Sequence, residues 1–215
     1  GKQGEADAYE IRDAAAKALG VPVHYVAVSS TGVIGEMMPM EKVLSGIGRL
    51  QQKLNEAGGR DFSQSIMTTD LVEKNIAVSL RIDGKEVRIG GTAKGSGMIH
   101  PNMATMLAYI TTDAVIDSAE LQQVLSLATD LTFNMITVDG DTSTNDTAVV
   151  MANGMAGNDK LTPDHPDWNE FVAAFQIVAE HLAKSIARDG EGATKLVEVH
   201  VDGAHDDASA RKIVK

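Results

Sequence analysis

Ala77-Val78-Ser79-Leu80-Arg81-Ile82-Asp83-Gly84-Lys85-Glu86-Val87-Arg88-Ile89 is the stretch from which the fold is read. Residues 77–82 and 86–89 are strand-like, and Asp83-Gly84 between them supplies the positive φ values of a tight hairpin turn. On its N-terminal side, Ala8, Ile11, Ala14, Ala15 and Leu19 recur at helical spacing, with Gly20 and Pro22 as stop signals. The valine-rich run Val21 to Ser29 predicts a buried strand, and Met40 to Leu54 a second helix. On its C-terminal side, Met106 to Thr111 predicts a buried strand and Ser118 to Leu131 a helix with Ser118 as N-cap. Asn134 to Val138 and Ala148 to Met151 predict short strands around a polar loop. Asp167 to Ala187 predicts the longest helix, with Trp168, Phe171, Val172, Phe175, Val178, Ala179 and Leu182 on one apolar stripe. Leu196 to Val201 alternates as a strand does, and a last helix starts at Asp206 or Asp207. The fold class is therefore α/β (α+β mixed), with a largely antiparallel sheet.

The composition narrows the function. A net charge of −11 disfavours nucleic acid and anionic membrane as partners, since both are polyanions. No apolar run reaches the ~18 residues of a membrane span, and the first residues lack a secretory signal. Without cysteine, neither a thiol nucleophile nor a thiolate metal site is available, and a cytoplasmic location is expected. Both ends look cut, since the chain opens on glycine and its last helix lacks a stop signal, as expected of a fragment or of ordinary fraying termini.

Gly90 to Leu107 gathers glycines, Lys94, Ser96, His100 and Thr105 ahead of an apolar strand. It is not a phosphate loop, because Lys94 precedes Gly95 and a strand, not a helix, follows. A threonine nucleophile is the alternative. Threonine hydroxyl needs a base, and a threonine made N-terminal by cleavage carries its own, the α-amine, with a reference pKa near ~8. The small residue Ala104 before Thr105 suits attack on the preceding carbonyl. Taken alone, Thr105 also reads as a β-branched residue opening a strand.

The loop Asp139-Gly140-Asp141-Thr142-Ser143-Thr144-Asn145-Asp146 is not an EF-hand, because Thr144 stands where glycine is required and Val150 where glutamate is. It predicts a tight, self-bonded loop bordering the active cleft. The histidines His24, His100, His165, His181, His200 and His205 have no metal-ligand spacing, so no metal is expected.

These segments resemble bacterial ornithine acetyltransferase, the bifunctional glutamate N-acetyltransferase of arginine biosynthesis. The resemblance is carried by Ser30 to Gly35, Ile66-Met67-Thr68-Thr69-Asp70, Ala93 to Ile99, Pro101 to Leu107, Thr111 to Ala114, Val138 to Asp146 and Asp189 to Lys195. It implies a four-layer α/β/β/α sandwich and a precursor cleaved between Ala104 and Thr105. Residues 1–104 would then belong to an alpha subunit and residues 105–215 to a beta subunit of a heterotetramer. It implies that Thr105 takes acetyl from N-acetylornithine and passes it to glutamate in a ping-pong cycle. No cofactor is implied; members that also use acetyl-CoA take it as a substrate. Thr68, beside Thr69, matches a substrate-contacting threonine, Lys94 a substrate-contacting lysine, and Glu191 a carboxylate that binds the amino-acid backbone. Gly1 matches the glycine of a Thr-Gly oxyanion pair whose threonine would stand one residue earlier. Two other functions fit the same residues: an N-terminal-threonine amidohydrolase or aminopeptidase, and an inactive module that only binds.

Overall fold

The computed structural model describes residues 1–99 and 106–214. They form two compact units, Gly1–Phe62 and Ser63–Lys215. In the first, α1 (Lys2–Leu19) stops where expected: Gly20 takes a φ of 69°, and Val21 N–H bonds to Ala16 O at 3.1 Å. Glycine reaches this left-handed cap without a Cβ penalty. Helix α2 (Met40–Leu50) continues into a 3-10 turn at Gln51–Lys53, and α3 (Gly59–Ser65) crosses the division between the units.

The strand expected at Val21 to Ser29 is not one. Val23–Tyr25 is a 3-10 turn closed by Tyr25 N–H on Pro22 O at 3.0 Å. Valine's strand preference needs a partner strand to express it, Pro22 has no N–H to give, and the first unit contains no strand among its described residues.

The second unit is built on one sheet in the order β1-β2-β3-β4. The strands are β1 (Lys74–Ile82), β2 (Lys85–Lys94), β3 (Leu107–Thr112) and β4 (Thr147–Ala152). The expected hairpin joins β1 to β2, with Asp83 at φ 52° and Gly84 at φ 72°. β2 and β3 are antiparallel over the pairs Ile89↔Thr112 to Lys94↔Leu107, whereas β3 and β4 are parallel. The sheet is therefore mixed. The connection from β3 to β4 carries helix α4 (Ser118–Leu131), and a crossover of that kind delivers the next strand in the same direction.

Helix α5 (Trp168–Arg188) buries Phe171, Phe175, Val178, Ala179, Leu182, Ala183 and Ile186 against β1 and β2. Each large side chain so covered contributes about 1.5–3 kcal/mol. The helix sits close because β2 offers glycine there: a Cβ on Gly91 would meet Leu182 and Val178 at 2.9 Å. Helix α6 (Asp207–Val214) follows the expected start. Two expected strands are absent. Residues 134–138 open with a 3-10 turn, Phe133–Met135, because Thr132 O takes Met135 N–H at 2.9 Å. Residues 196–201 join no ladder, and Val197 and Val199 are 77% and 63% exposed, so alternation alone has no neighbour to pair with. No described helix is long and apolar enough to cross a membrane.

Candidate active site

Three polypeptide segments of the second unit converge at the end of β2. The first is the Thr68-Thr69-Asp70 loop before β1, the second is Lys94 to Gly97, and the third is the turn after α5. Thr68 Oγ1 lies 3.3 Å from Lys94 Nζ, and Thr69 Oγ1 lies 2.6 Å from Ser96 Oγ. The threonine pair thus divides its hydroxyls between the lysine and the serine of the glycine-rich loop. Glu191 heads a tight turn in which Ala193 N–H bonds to Gly190 O at 2.9 Å, with Gly192 at φ 73°. Its own N–H donates to Ser96 O at 2.7 Å. A Cβ on Gly97 would lie 2.7–2.9 Å from the Glu191 carboxyl group, so that carboxylate rests on the bare glycine backbone.

Lys94 is 2% exposed, yet its ammonium makes no direct ion pair among the described residues. Burial pushes it below the usual lysine range, with Asp70 and Asp146 opposing and Lys74 reinforcing that shift. A second buried lysine stands beside it. Lys74 faces Asp70 Oδ1 and Asp189 Oδ2, both at 2.6 Å. Asp70 accepts Gly95 N–H at 2.7 Å and Thr68 N–H at 3.1 Å, and Asp189 accepts Leu71 N–H at 3.0 Å. Burial works against the charged form of Asp70, but the Gly95 amide, Lys74 and the Thr68 amide outweigh it and hold the carboxyl below its ordinary value.

The 139–146 loop borders this region, as the sequence predicts, but its carboxylates bond outward as well as to the loop. Asp139 accepts N–H groups from Met98 at 2.6 Å, Ile99 at 2.9 Å and Asp141 at 3.1 Å. Burial opposes its charge, and those amides together hold it low. The bond to Met98 secures a non-glycine residue at φ 56°, a conformation costing of order 1–3 kcal/mol. Asp146 Oδ1 accepts Met106 N–H at 3.0 Å; burial pushes its carboxyl up, with Met106 N–H and Lys94 offsetting part of the shift.

Of the residues expected at the site, Thr68, Lys94 and Glu191 meet around the Lys94–Gly97 segment. Gly1 stands in the other unit, where it precedes α1 and its carbonyl accepts Glu5 N–H at 3.2 Å. Ala104 and Thr105 lie outside the described residues, as does His100. Asp70, Asp146 and Asp189 fall within segments that carry the resemblance but have no role assigned by it, and Lys74 falls in none. Asp70 and Lys74 stand four apart in a loop-to-strand run where spacing has no periodic meaning, and Asp189 is distant in the chain. Among the described residues, Asp83, His165 and Asp167 could gather around a metal ion. Their atoms already serve one another and the backbone: Asp167 N–H donates to His165 Nδ1, and Asp83 N–H and Asp159 N–H to the two carboxylates.

A buried cation with no ion pair among the described residues, with the Glu191 carboxylate resting against the loop that follows it, can hold a small molecule that carries both a carboxylate and an ammonium. The ArgJ family profile matches residues 1–215, and the chain belongs to that family. It is 59% identical over all 215 residues to the arginine biosynthesis bifunctional protein ArgJ of Geobacillus kaustophilus, covering 52% of that protein. It is 57% identical to the protein of that name from Staphylococcus aureus strain Mu50 and 56% identical to that from Bacillus subtilis, each over the full chain and 52% of the relative. A crystal structure of ArgJ from Bacillus halodurans aligns with a TM-score of 0.48 at 61% identity, over 49% of each chain. The chain spans about half the length of the curated relatives it matches.

Proposed function

We propose that this chain carries the nucleophile and much of the amino-acid site of an acetyltransferase. In this reading it moves acetyl from N-acetylornithine to glutamate in arginine biosynthesis. The observation that carries the reading is Lys94, an ammonium that among the described residues has no carboxylate partner and bonds the Thr68 hydroxyl. Burying an unpaired charge is costly, and a substrate carboxylate supplies the missing partner. Glu191, on its glycine platform, takes the substrate ammonium.

The chemistry begins with cleavage between Ala104 and Thr105. Thr105 Oγ attacks the Ala104 carbonyl carbon, the C–N bond breaks, and the resulting ester is hydrolysed, leaving a free α-amine on Thr105. That amine takes the hydroxyl proton as Oγ attacks the acetyl carbonyl of N-acetylornithine. The amide C–N bond breaks, the ornithine amine leaves with the proton, and acetyl remains on Oγ. Glutamate's amine then attacks the ester carbonyl, its proton returns to Thr105 Oγ, and N-acetylglutamate departs. Gly1 and the threonine preceding it in the resemblance donate to the oxyanion of each step. Acetyl-CoA delivers acetyl to the same oxygen in members that use it. The four-layer sandwich, the assembly of two alpha and two beta subunits and a cytoplasmic location belong to the same proposal.

Intact mass of the complete encoded polypeptide tests the first step. Two fragments meeting at Ala104–Thr105 are expected, and none from Thr105→Ala. Acetyl capture from N-acetylornithine should require glutamate. Release of acetate at the same rate without glutamate would make the protein an amidohydrolase, and one persistent full-length species without transfer would leave only a binding module.

A further inference from the structure

We infer that Asp70 is a positioning residue for the pair Thr68 and Lys94, with Lys74 and Asp189 as the buried counterweight that fixes it and ties it to the Glu191 turn. The inference rests on the substrate roles proposed above for Thr68, Lys94 and Glu191. Two bonds of the network end on the backbone of Thr68 and of the residue after Lys94, and the others lead from there to the turn that carries Glu191. Asp70 Oδ2 accepts the amide of Thr68 itself, and Oδ1 accepts that of Gly95, the residue after Lys94. Lys74 Nζ bridges Asp70 to Asp189. Asp189, two residues before Glu191, reaches back to the amide of Leu71. One buried network therefore joins the threonine loop, the lysine strand end and the glutamate turn.

Stability alone does not call for such a network. A buried ion triad is often replaceable by apolar residues without loss, because the desolvation of its charges cancels most of their attraction. What the triad supplies that apolar packing does not is direction. Two carboxylates, each bonded to an ammonium and to amides, set where the Thr68 and Gly95 backbone can sit. Asp70 and Asp189 both contact Lys74, and Asp70 also acts on Lys94. The charged groups acting on Lys94 are Asp70 from the loop before β1, Lys74 from β1 and Asp146 from the loop before β4. Asp70 is thus both the mechanical anchor of the Lys94 strand end and one of the two anions supporting its charge.

The test uses the complete encoded polypeptide bearing Asp70→Asn or Asp189→Asn, each of which keeps an acceptor oxygen while removing a charge. Melting temperature, and KM and kcat for N-acetylornithine against pH, are measured. Asp70→Asn is expected to raise KM about tenfold or more with kcat changed less, as loss of substrate alignment in the ground state does. Its alkaline rise in KM should begin at lower pH, because Lys94 loses an anion that supports its charge. Asp189→Asn is expected to raise KM severalfold without moving that limb. A folded Asp70→Asn protein with KM within about twofold of the parent at every pH would overturn the inference. So would failure of both variants to fold, which would make the network a purely structural device. Lys94→Met separates the two levels. If it leaves KM unchanged, the substrate-site reading fails; if it raises KM while Asp70→Asn does not, only the positioning role falls.

Discussion

Lys74 and Lys94 are both 2% exposed and belong to adjacent strands, with Lys74 paired in register to Ala93, the residue before Lys94. Their surroundings are opposite. Lys74 sits between two carboxylates at 2.6 Å, whereas Lys94 has, among the described residues, one hydroxyl at 3.3 Å. Lys74 also lies where α5 ends. Asp189, the residue that closes the helix, would be repelled by the partial negative charge of the helix C-terminus without the lysine in front of it. The difference teaches how burial alone misleads. A buried lysine with two carboxylates in contact is finished structure, and a buried lysine with no ion pair among the described residues is where the proposed substrate carboxylate fits.

Substitution of each lysine breaks the comparison most sharply. Lys74→Met strands two buried carboxylates together and is expected to cost about 3–5 kcal/mol of stability, read by urea unfolding. Lys94→Met removes an ion that folding had to desolvate, so stability should hold or rise by about 1 kcal/mol. Binding of the substrate carboxylate is lost in the same protein. Equal destabilisation by the two substitutions would erase the distinction.

Gly97→Ala sharpens it further. The new methyl would displace the Glu191 carboxyl, the free end of a flexible side chain, so the melting temperature should barely move. KM for the ammonium-bearing substrate should rise about tenfold. A melting temperature lowered without any change in KM would place Glu191 outside the site.

The smallest effect is in pH. Lys94 has a lowered pKa in the folded protein, so its burial penalty is fully present below that value and is relieved as pH rises toward the unfolded 10.5. Stability attributable to Lys94 therefore increases through that alkaline window, while carboxylate binding declines through it. Asp70 has the opposite dependence: its lowered pKa gives stability present above 3.8 and lost as pH falls below that through the folded value. Urea titrations of the parent and Lys94→Met proteins across both windows give the comparison.

The parts of the fold legible in the residues are those that local chemistry determines. Asp83-Gly84 can do little except turn a hairpin, and the apolar stripe from Phe171 to Leu182 has one helical reading. The strands expected at 21–29, 134–138 and 196–201 share a different failing. Each had the composition or alternation of a strand, but a strand is made by its neighbour, and neighbours are not written in local sequence. The site divides in the same way. Thr68, Lys94 and Glu191 are matched by the family resemblance, and the structure brings the three segments that carry them to the end of β2. Asp70, Lys74 and Asp189 depend on contact between residues 115 apart, which no local spacing announces.

The order β1-β2-β3-β4 has a further consequence for a chain cut at Ala104–Thr105. The break falls between β2 and β3, so this four-stranded sheet is divided down its middle, two of its strands going to each product. Helix α5 belongs to the later product but roofs β1 and β2 of the earlier one. Two strands without their cover are at best marginally stable in water. Such a cut would divide this hydrophobic core between the two products, so separating them would expose the faces of β1 and β2 that α5 covers. Reassembly of this sheet from separated products would be second order, so its stability would fall on dilution.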